Sequence, residues 1–159
     1  LYSDVLNGGV FALAEGGTIS TVVAHRTGIG GIVPHQDDGL LVGGRNLSYK
    51  SFDGARAKVL LDSDVNEEVV GFNDFTTDAK GRIYAGSLSF VVFGGAVPKP
   101  GHLHLIDLDG SVRTLSGGVM LTNGVGFSPD GKRLYHVDSR DAVIRFLLYT
   151  SDAADDMQW

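Results

Sequence analysis

The sequence predicts an all-β chain, a β-propeller of four-stranded antiparallel blades with about three blades present. A repeated passage is the first observation behind this reading. A short apolar strand, an Asp-Gly or Lys-Gly turn and a second apolar strand occur three times in diverged form. The copies are Gly28-Ile29-Gly30-Gly31-Ile32-Val33 with Asp38-Gly39-Leu40-Leu41-Val42-Gly43, Gly71-Phe72-Asn73-Asp74-Phe75 with Lys80-Gly81-Arg82-Ile83-Tyr84-Ala85-Gly86, and Thr122-Asn123-Gly124-Val125-Gly126-Phe127 with Asp130-Gly131-Lys132-Arg133-Leu134-Tyr135. The turn glycines at 39, 81 and 131 stand 42 and 50 residues apart. A period of about 40–50 residues with several short strands per unit is the mark of a propeller blade. The second observation is another hairpin that recurs between the copies, on Asp53-Gly54 and Asp109-Gly110. Asp-Gly suits a two-residue hairpin loop because the centre of that loop needs positive φ. Third, helix is nearly absent; only residues 153–157 have modest helical propensity.

The elements follow in order. Residues 2–5 read as a strand, Gly8-Gly9 turns it into 10–13, and Gly16-Gly17 makes the hairpin into 18–23. The first repeat copy supplies the next two strands, and 49–52, Asp53-Gly54 and 58–61 complete that blade. The second copy leads into a long connection, 90–101, carrying Gly94-Gly95 and Pro98-Lys99-Pro100. A long loop on a propeller is expected to lie over a face and shape a pocket. Strands at 103–106 and 111–115 follow, and the third copy opens the last blade.

Composition narrows the function classes. A net charge of −6 over 159 residues argues against a phosphate-binding surface, so no nucleic-acid partner is expected. With no cysteine there is neither a disulfide framework nor thiolate chemistry. No apolar run approaches the roughly 20 residues of a membrane helix, and no membrane partner is expected. The first residue is Leu1, so the natural start is expected to lie upstream; the compartment stays open, with the cytoplasm favoured. At the other end, Leu147-Leu148-Tyr149-Thr150-Ser151-Asp152-Ala153-Ala154-Asp155-Asp156 resembles the translation of a transposase adapter used in sequencing libraries. The expected division is therefore a partial propeller over 1–146 and a non-native tail over 147–159.

Innermost strands of a propeller line its central channel, and ligand sites form at one mouth of that channel. Asn73 and Asn123 hold equivalent places at the start of such strands, where the first copy has Gly30 or Gly31. Asparagine is a poor strand former. Its amide oxygen is a hard ligand that suits calcium, magnesium or manganese. A side chain in the same place can equally cap a turn.

The stretches Gly71-Phe72-Asn73-Asp74 through Gly86 and Thr122-Asn123-Gly124 through Ser139 resemble the gluconolactonase / regucalcin (senescence marker protein) family. The resemblance covers about residues 1–146 and carries both Asn motifs in the expected order. It implies half of a six-bladed propeller and metal-dependent hydrolysis of a lactone or related ester by the intact parent protein. It also implies one divalent metal in the channel, calcium first, with zinc, magnesium or manganese as alternatives, and a small-molecule lactone or ester as substrate. Asn123 would be a metal ligand, and Asn73 would contact substrate or metal and its bound water. The Glu ligand is expected upstream of Leu1, and the Asp acting as ligand and general base beyond Phe146. The family's arginine two residues before the first Asn is replaced by Gly71, which puts sugar-lactone specificity in question. The competing reading is a non-catalytic propeller scaffold that binds a protein or peptide, a function the fold permits.

Other candidates carry less. His102 and His104, two residues apart, share a strand face but lack an evident third ligand. His136 reads as a core or channel-facing histidine, and Asp138 as a turn cap or a residue at the channel mouth. Glu67-Glu68 reads as a solvated pair. Ser87 and Ser89 lack a nearby His-Asp pattern, so no serine nucleophile is expected. Three blades cannot close a ring, so the chain is expected to self-associate; its oligomeric state is otherwise open.

Overall fold

The structure, a computed structural model, describes residues 1–24, 26–63 and 69–148. Among the described residues it contains fourteen strands and no α-helix. The first sheet holds β1 (Tyr2–Ser3), β2 (Val10–Leu13) and β3 (Ile19–Val23). The second holds β4 (Ile32–His35), β5 (Gly39–Val42), β6 (Leu47–Ser51) and β7 (Ala57–Leu61). The third holds β8 (Gly71–Thr77), β9 (Ile83–Leu88), β10 (Gly101–Ile106) and β11 (Val112–Val119). The fourth holds β12 (Thr122–Phe127), β13 (Arg133–Asp138) and β14 (Val143–Leu148). Every pairing within a sheet is antiparallel between strands consecutive in sequence, the up-and-down order expected of propeller blades. Two blades are four-stranded and a three-stranded sheet flanks them at each end.

Strand alternation explains how the sheets stack. The middle strands are buried on both faces, so successive residues serve different neighbours. Leu40 and Val42 of β5 join Val10 and Ile29 in a cluster between the first and second sheets. Leu41 of the same strand points the other way, into a cluster with Phe72, Phe75, Ile83 and Ala85 between the second and third. Tyr84 then turns from Ile83 and Ala85 to meet Leu103, Leu105, Leu134 and Leu147 between the third and fourth. Burying one such side chain contributes about 1.5–3 kcal/mol, so each sheet is held chiefly by its neighbours.

The first strands of the last three sheets, β4, β8 and β12, lie side by side. Gly44 and Phe72 exchange two backbone hydrogen bonds, of 2.9 and 2.7 Å, and so tie the second blade to the start of β8. The sequence places a strand from residue 28; the structure begins β4 at Ile32. Gly28 takes φ of +73°, outside the strand region, and the chain at residues 30 and 31 passes so close to Asn73 and Phe75 that only glycine fits. The boundary expected at 146/147 falls inside β14, whose Leu147 is fully buried. The tail beyond Leu148, and the Glu67-Glu68 pair, lie outside the described residues.

Candidate active site

The asparagines sit on two matching bulges. In β8, Phe72 pairs with Ser87 and Phe75 with Ala85, so one extra residue is accommodated between them. In β12, Thr122 pairs with Asp138 and Val125 with His136, with the same excess. Asn73-Asp74 and Asn123-Gly124 are the bulged pairs. A bulge re-aims the side chain it carries. Gly124 takes φ of +92°, a conformation that costs glycine least.

Across the blade boundary the two side chains meet. Asn73 Nδ2 donates to Asn123 Oδ1 at 2.8 Å and to the Thr122 carbonyl at 2.6 Å. Both bonds run between blades, so neither asparagine caps its own turn. Asp74 accepts from the Gly124 N–H at 2.6 Å. Burial raises the Asp74 carboxyl above its ordinary range, with the Gly124 bond pulling the other way. The result is a cluster of amide and carboxylate oxygens at the inner end of two adjacent blades. Among the described residues no group of three or more His, Asp or Glu side chains gathers. The oxygens present are hard donors of the type calcium, magnesium or manganese accept, and they make only part of a coordination shell.

Several supports surround this cluster. Thr122 is fully buried; its hydroxyl lies 2.9 Å from His136 Nε2. It packs so closely on Gly86 of the neighbouring blade that a Cβ at residue 86 would collide with its side chain. Asp138, with no exposed surface, accepts from the backbone N–H groups of Met120 and Leu121 at 2.8 and 3.0 Å and faces Arg145 at 3.9 Å. Burial opposes its charge, but the backbone donors outweigh it and hold the carboxyl below the usual range. Asp138 is thus a cap that fixes the entry to β12, the turn-cap alternative of the sequence reading.

A cavity of about 520 Å³ opens over the asparagines. Asn73 and Asn123 line it together with Phe90, Val91, Val92 and Phe93. The long connection after β9 therefore shapes a pocket at one face, as its length and glycines suggest. A second cavity, of about 590 Å³, lies at the opposite, turn end between the second and third blades, away from the asparagines.

Other parts of the arrangement were not readable from spacing. His104 Nε2 lies 3.1 Å from Ser87 Oγ, and Thr114 Oγ1 lies 3.4 Å from His104 Nδ1. This Ser-His contact is sealed inside its blade, with Ser87 only 1% exposed, so it offers no nucleophile to the cavity. Burial, and then the neighbouring His102, lower the His104 pKa to about 4. Arg26 is another residue that carries no local sequence signal. Its guanidinium donates to the Gly43 carbonyl at 3.0 Å and to the Asn46 side chain at 2.7 Å, clamping the entry to the second blade. Only knowledge of which strands pair would have revealed these contacts.

Known proteins share this arrangement of strands. The profile of the SMP-30/Gluconolactonase/LRE-like region matches residues 1–156. The pentonolactonase XacC of Haloferax volcanii is 28% identical over 106 residues, covering 63% of this chain and 34% of that protein. A 6-deoxy-6-sulfogluconolactonase of Pseudomonas putida is 28% identical over 146 residues, covering 90% of this chain and 48% of its own length. The chain thus spans half or less of the length of these curated relatives. Among solved structures, a gluconolactonase of Xanthomonas campestris superposes with a TM-score of 0.77 at 20% identity, over 98% of this chain and 56% of that one. A calcium-binding regucalcin of Agrobacterium tumefaciens gives 0.68 at 15% identity, over 90% and 48%. These structural likenesses establish the propeller fold. With the profile matched along nearly its whole length, the chain belongs to the SMP-30/gluconolactonase/LRE-like family.

Proposed function

We propose that the protein carrying this chain hydrolyses a lactone or related carboxylic ester at the Asn73–Asn123 site, with one divalent cation, calcium first. One observation carries the reading: two asparagines 50 residues apart, on different blades, meet at 2.8 Å beneath an open cavity. A scaffold for a protein or peptide has no need of two asparagine amides meeting there. The lactonase relatives support the reaction class, and the calcium-binding regucalcin supports the cation.

The residues present fit such an ion in part. Asn123 Oδ1 and the Asn73 amide oxygen would hold it as neutral ligands, leaving most of its charge for the substrate. When bound, such a cation polarises the ester carbonyl and lowers the pKa of a coordinated water. The Thr122 carbonyl orients the Asn73 amide, and Asp74 fixes the backbone beside Asn123. A carboxylate to take the water's proton is expected outside 1–146, by resemblance to the family.

The test is a pH-stat assay on a panel of lactones with the protein at the length of its curated relatives. Activity should vanish with chelator and return with calcium or manganese. Asn123→Ala should lower kcat/KM by at least about a hundredfold, the scale of losing a group that stabilises the transition state. Chelator-resistant turnover, or full activity in Asn123→Ala, removes the reading. The 159-residue chain alone should bind calcium weakly or not at all and turn nothing over; tight stoichiometric metal by calorimetry contradicts this.

A further inference from the structure

The substrate-facing wall of the cavity is apolar, and this bears on which lactones the site accepts. Val70, Leu88, Phe90, Val91, Val92 and Phe93 all line the space above the asparagines. Three of them are notably exposed for residues of their type: Val70 at 43%, Val91 at 57% and Phe93 at 71%. Large apolar side chains held at a pocket rim mark a surface that a ligand covers. The loop that carries Val91 and Phe93 is anchored, since Phe90 is buried and the Arg140 guanidinium lies 5.7 Å from its ring centre.

The polar side chains lining the cavity are few: Thr27, Arg45, Asn73 and Asn123. The asparagines are committed to the cation on the reading above. Thr27 and Arg45 belong to the connections around the second blade, whereas residues 91–93 of the long loop carry no polar side chain. At the start of β8, Gly71 offers no hydrogen-bonding side chain. No side chain fits there without movement, because a Cβ would stand 2.8 Å from the Gly44 carbonyl oxygen. A polyhydroxylated ring pressed against this wall would lose water from its hydroxyls and gain no side-chain partner from the wall.

We propose that the site selects lactones or esters bearing an alkyl or aryl substituent, which lies along the Val70–Phe93 wall while the ring carbonyl lies at the Asn73–Asn123 end of the cavity. This rests on the lactone-hydrolase reading. Val91 and Phe93 are then specificity-determining residues, and sugar lactones are poor ligands.

The proposal is tested by saturation-transfer NMR titration of the calcium-loaded protein at the length of its curated relatives with three probes, read before turnover consumes the lactones. These are γ-nonalactone, ribono-γ-lactone, and an alkyl tetrahydrofuran that keeps the substituent and lacks the carbonyl. γ-Nonalactone should bind at least about tenfold more tightly than ribono-γ-lactone, the discrimination expected of a hydrophobic pocket. Phe93→Ser, at an exposed position that does not support the core, should abolish that preference, and Asn123→Ala should weaken both lactones. Equal or tighter binding of ribono-γ-lactone overturns the apolar-substrate proposal and leaves the lactone reading standing. So does a Phe93→Ser chain that keeps the preference. If the tetrahydrofuran binds as well as γ-nonalactone and Asn123→Ala changes neither, the lactone reading falls and the proposal with it.

Discussion

Two buried histidines tie the stability of the blades to pH. Burial, the larger cause, and the Arg145 charge lower the His136 pKa to about 4, against the pull of Asp138. His104 is held to about the same value. Both therefore fold neutral, whereas the unfolded chain protonates them near 6.5. Between these values the unfolded state binds protons that the folded state does not, so stability falls as pH drops from about 6.5 towards 4. The slope should be about 1.4 kcal/mol per pH unit for each histidine. Urea titrations at a series of pH values should show it, and His104→Gln should halve it; a flat profile between pH 7 and 5 refutes the assignment. Gly86 makes a second prediction at this scale. A methyl group there has no space beside Thr122, so Gly86→Ala should destabilise by about 1–3 kcal/mol, the usual cost of overpacking. Because the Thr122 carbonyl orients Asn73, the same variant should shift the Asn73 side-chain amide resonances. An unchanged amide spectrum would show that the blade contact does not hold the asparagine.

At the scale of the element, the bulge decides where the asparagines point. Gly124 holds the positive φ of the β12 bulge, and the Asp74 carboxylate braces its N–H from the neighbouring blade. Gly124→Ala should cost about 1–3 kcal/mol of strain, and thermal melting should show it. Gly126 of the same strand does not take positive φ and a Cβ there meets nothing within 4 Å, so Gly126→Ala should cost much less. Equal losses in the two variants would deny the bulge its role. The strands themselves were legible because Asp-Gly turns and alternating apolar residues are local signals. Asn73 and Asn123 stood out because asparagine is out of place in an apolar strand. The bulges left only a faint trace, the Asn-Gly dipeptide at 123–124, since a bulge is defined by its pairing partner rather than by its own residues. The Ser87–His104 contact and the Arg26 clamp left none. They join strands or loops 17 or more residues apart, and their partners are fixed only once the strands pair.

At the scale of the whole chain, the two end sheets present different apolar faces. On the last sheet Tyr135 lies opposite Phe146, Val137 opposite Ile144, and Arg133 opposite Leu148. Ile144 is 69% exposed and Phe146 51%. On the first sheet Tyr2 stacks on Phe11 at 5.5 Å, and Leu13 pairs with Ile19, both more than half exposed. The interior boundaries show what such faces do, since each is closed by a cluster of the same composition. Faces of this kind left in water drive association. Because the two ends are not copies of one another, contact between chains would be head-to-tail and need not stop at a dimer. The 159-residue chain should therefore elute from size exclusion well above its 16.8 kDa mass at micromolar concentration, with the apparent size rising on concentration. Ile144→Lys with Phe146→Lys should shift it towards the monomer, because charges on a strand face oppose such pairing. These side chains point away from the Leu134–Leu147 cluster, so the double variant should keep its circular dichroism spectrum. A monodisperse monomer across the concentration range would mean that the end faces are covered within the chain itself.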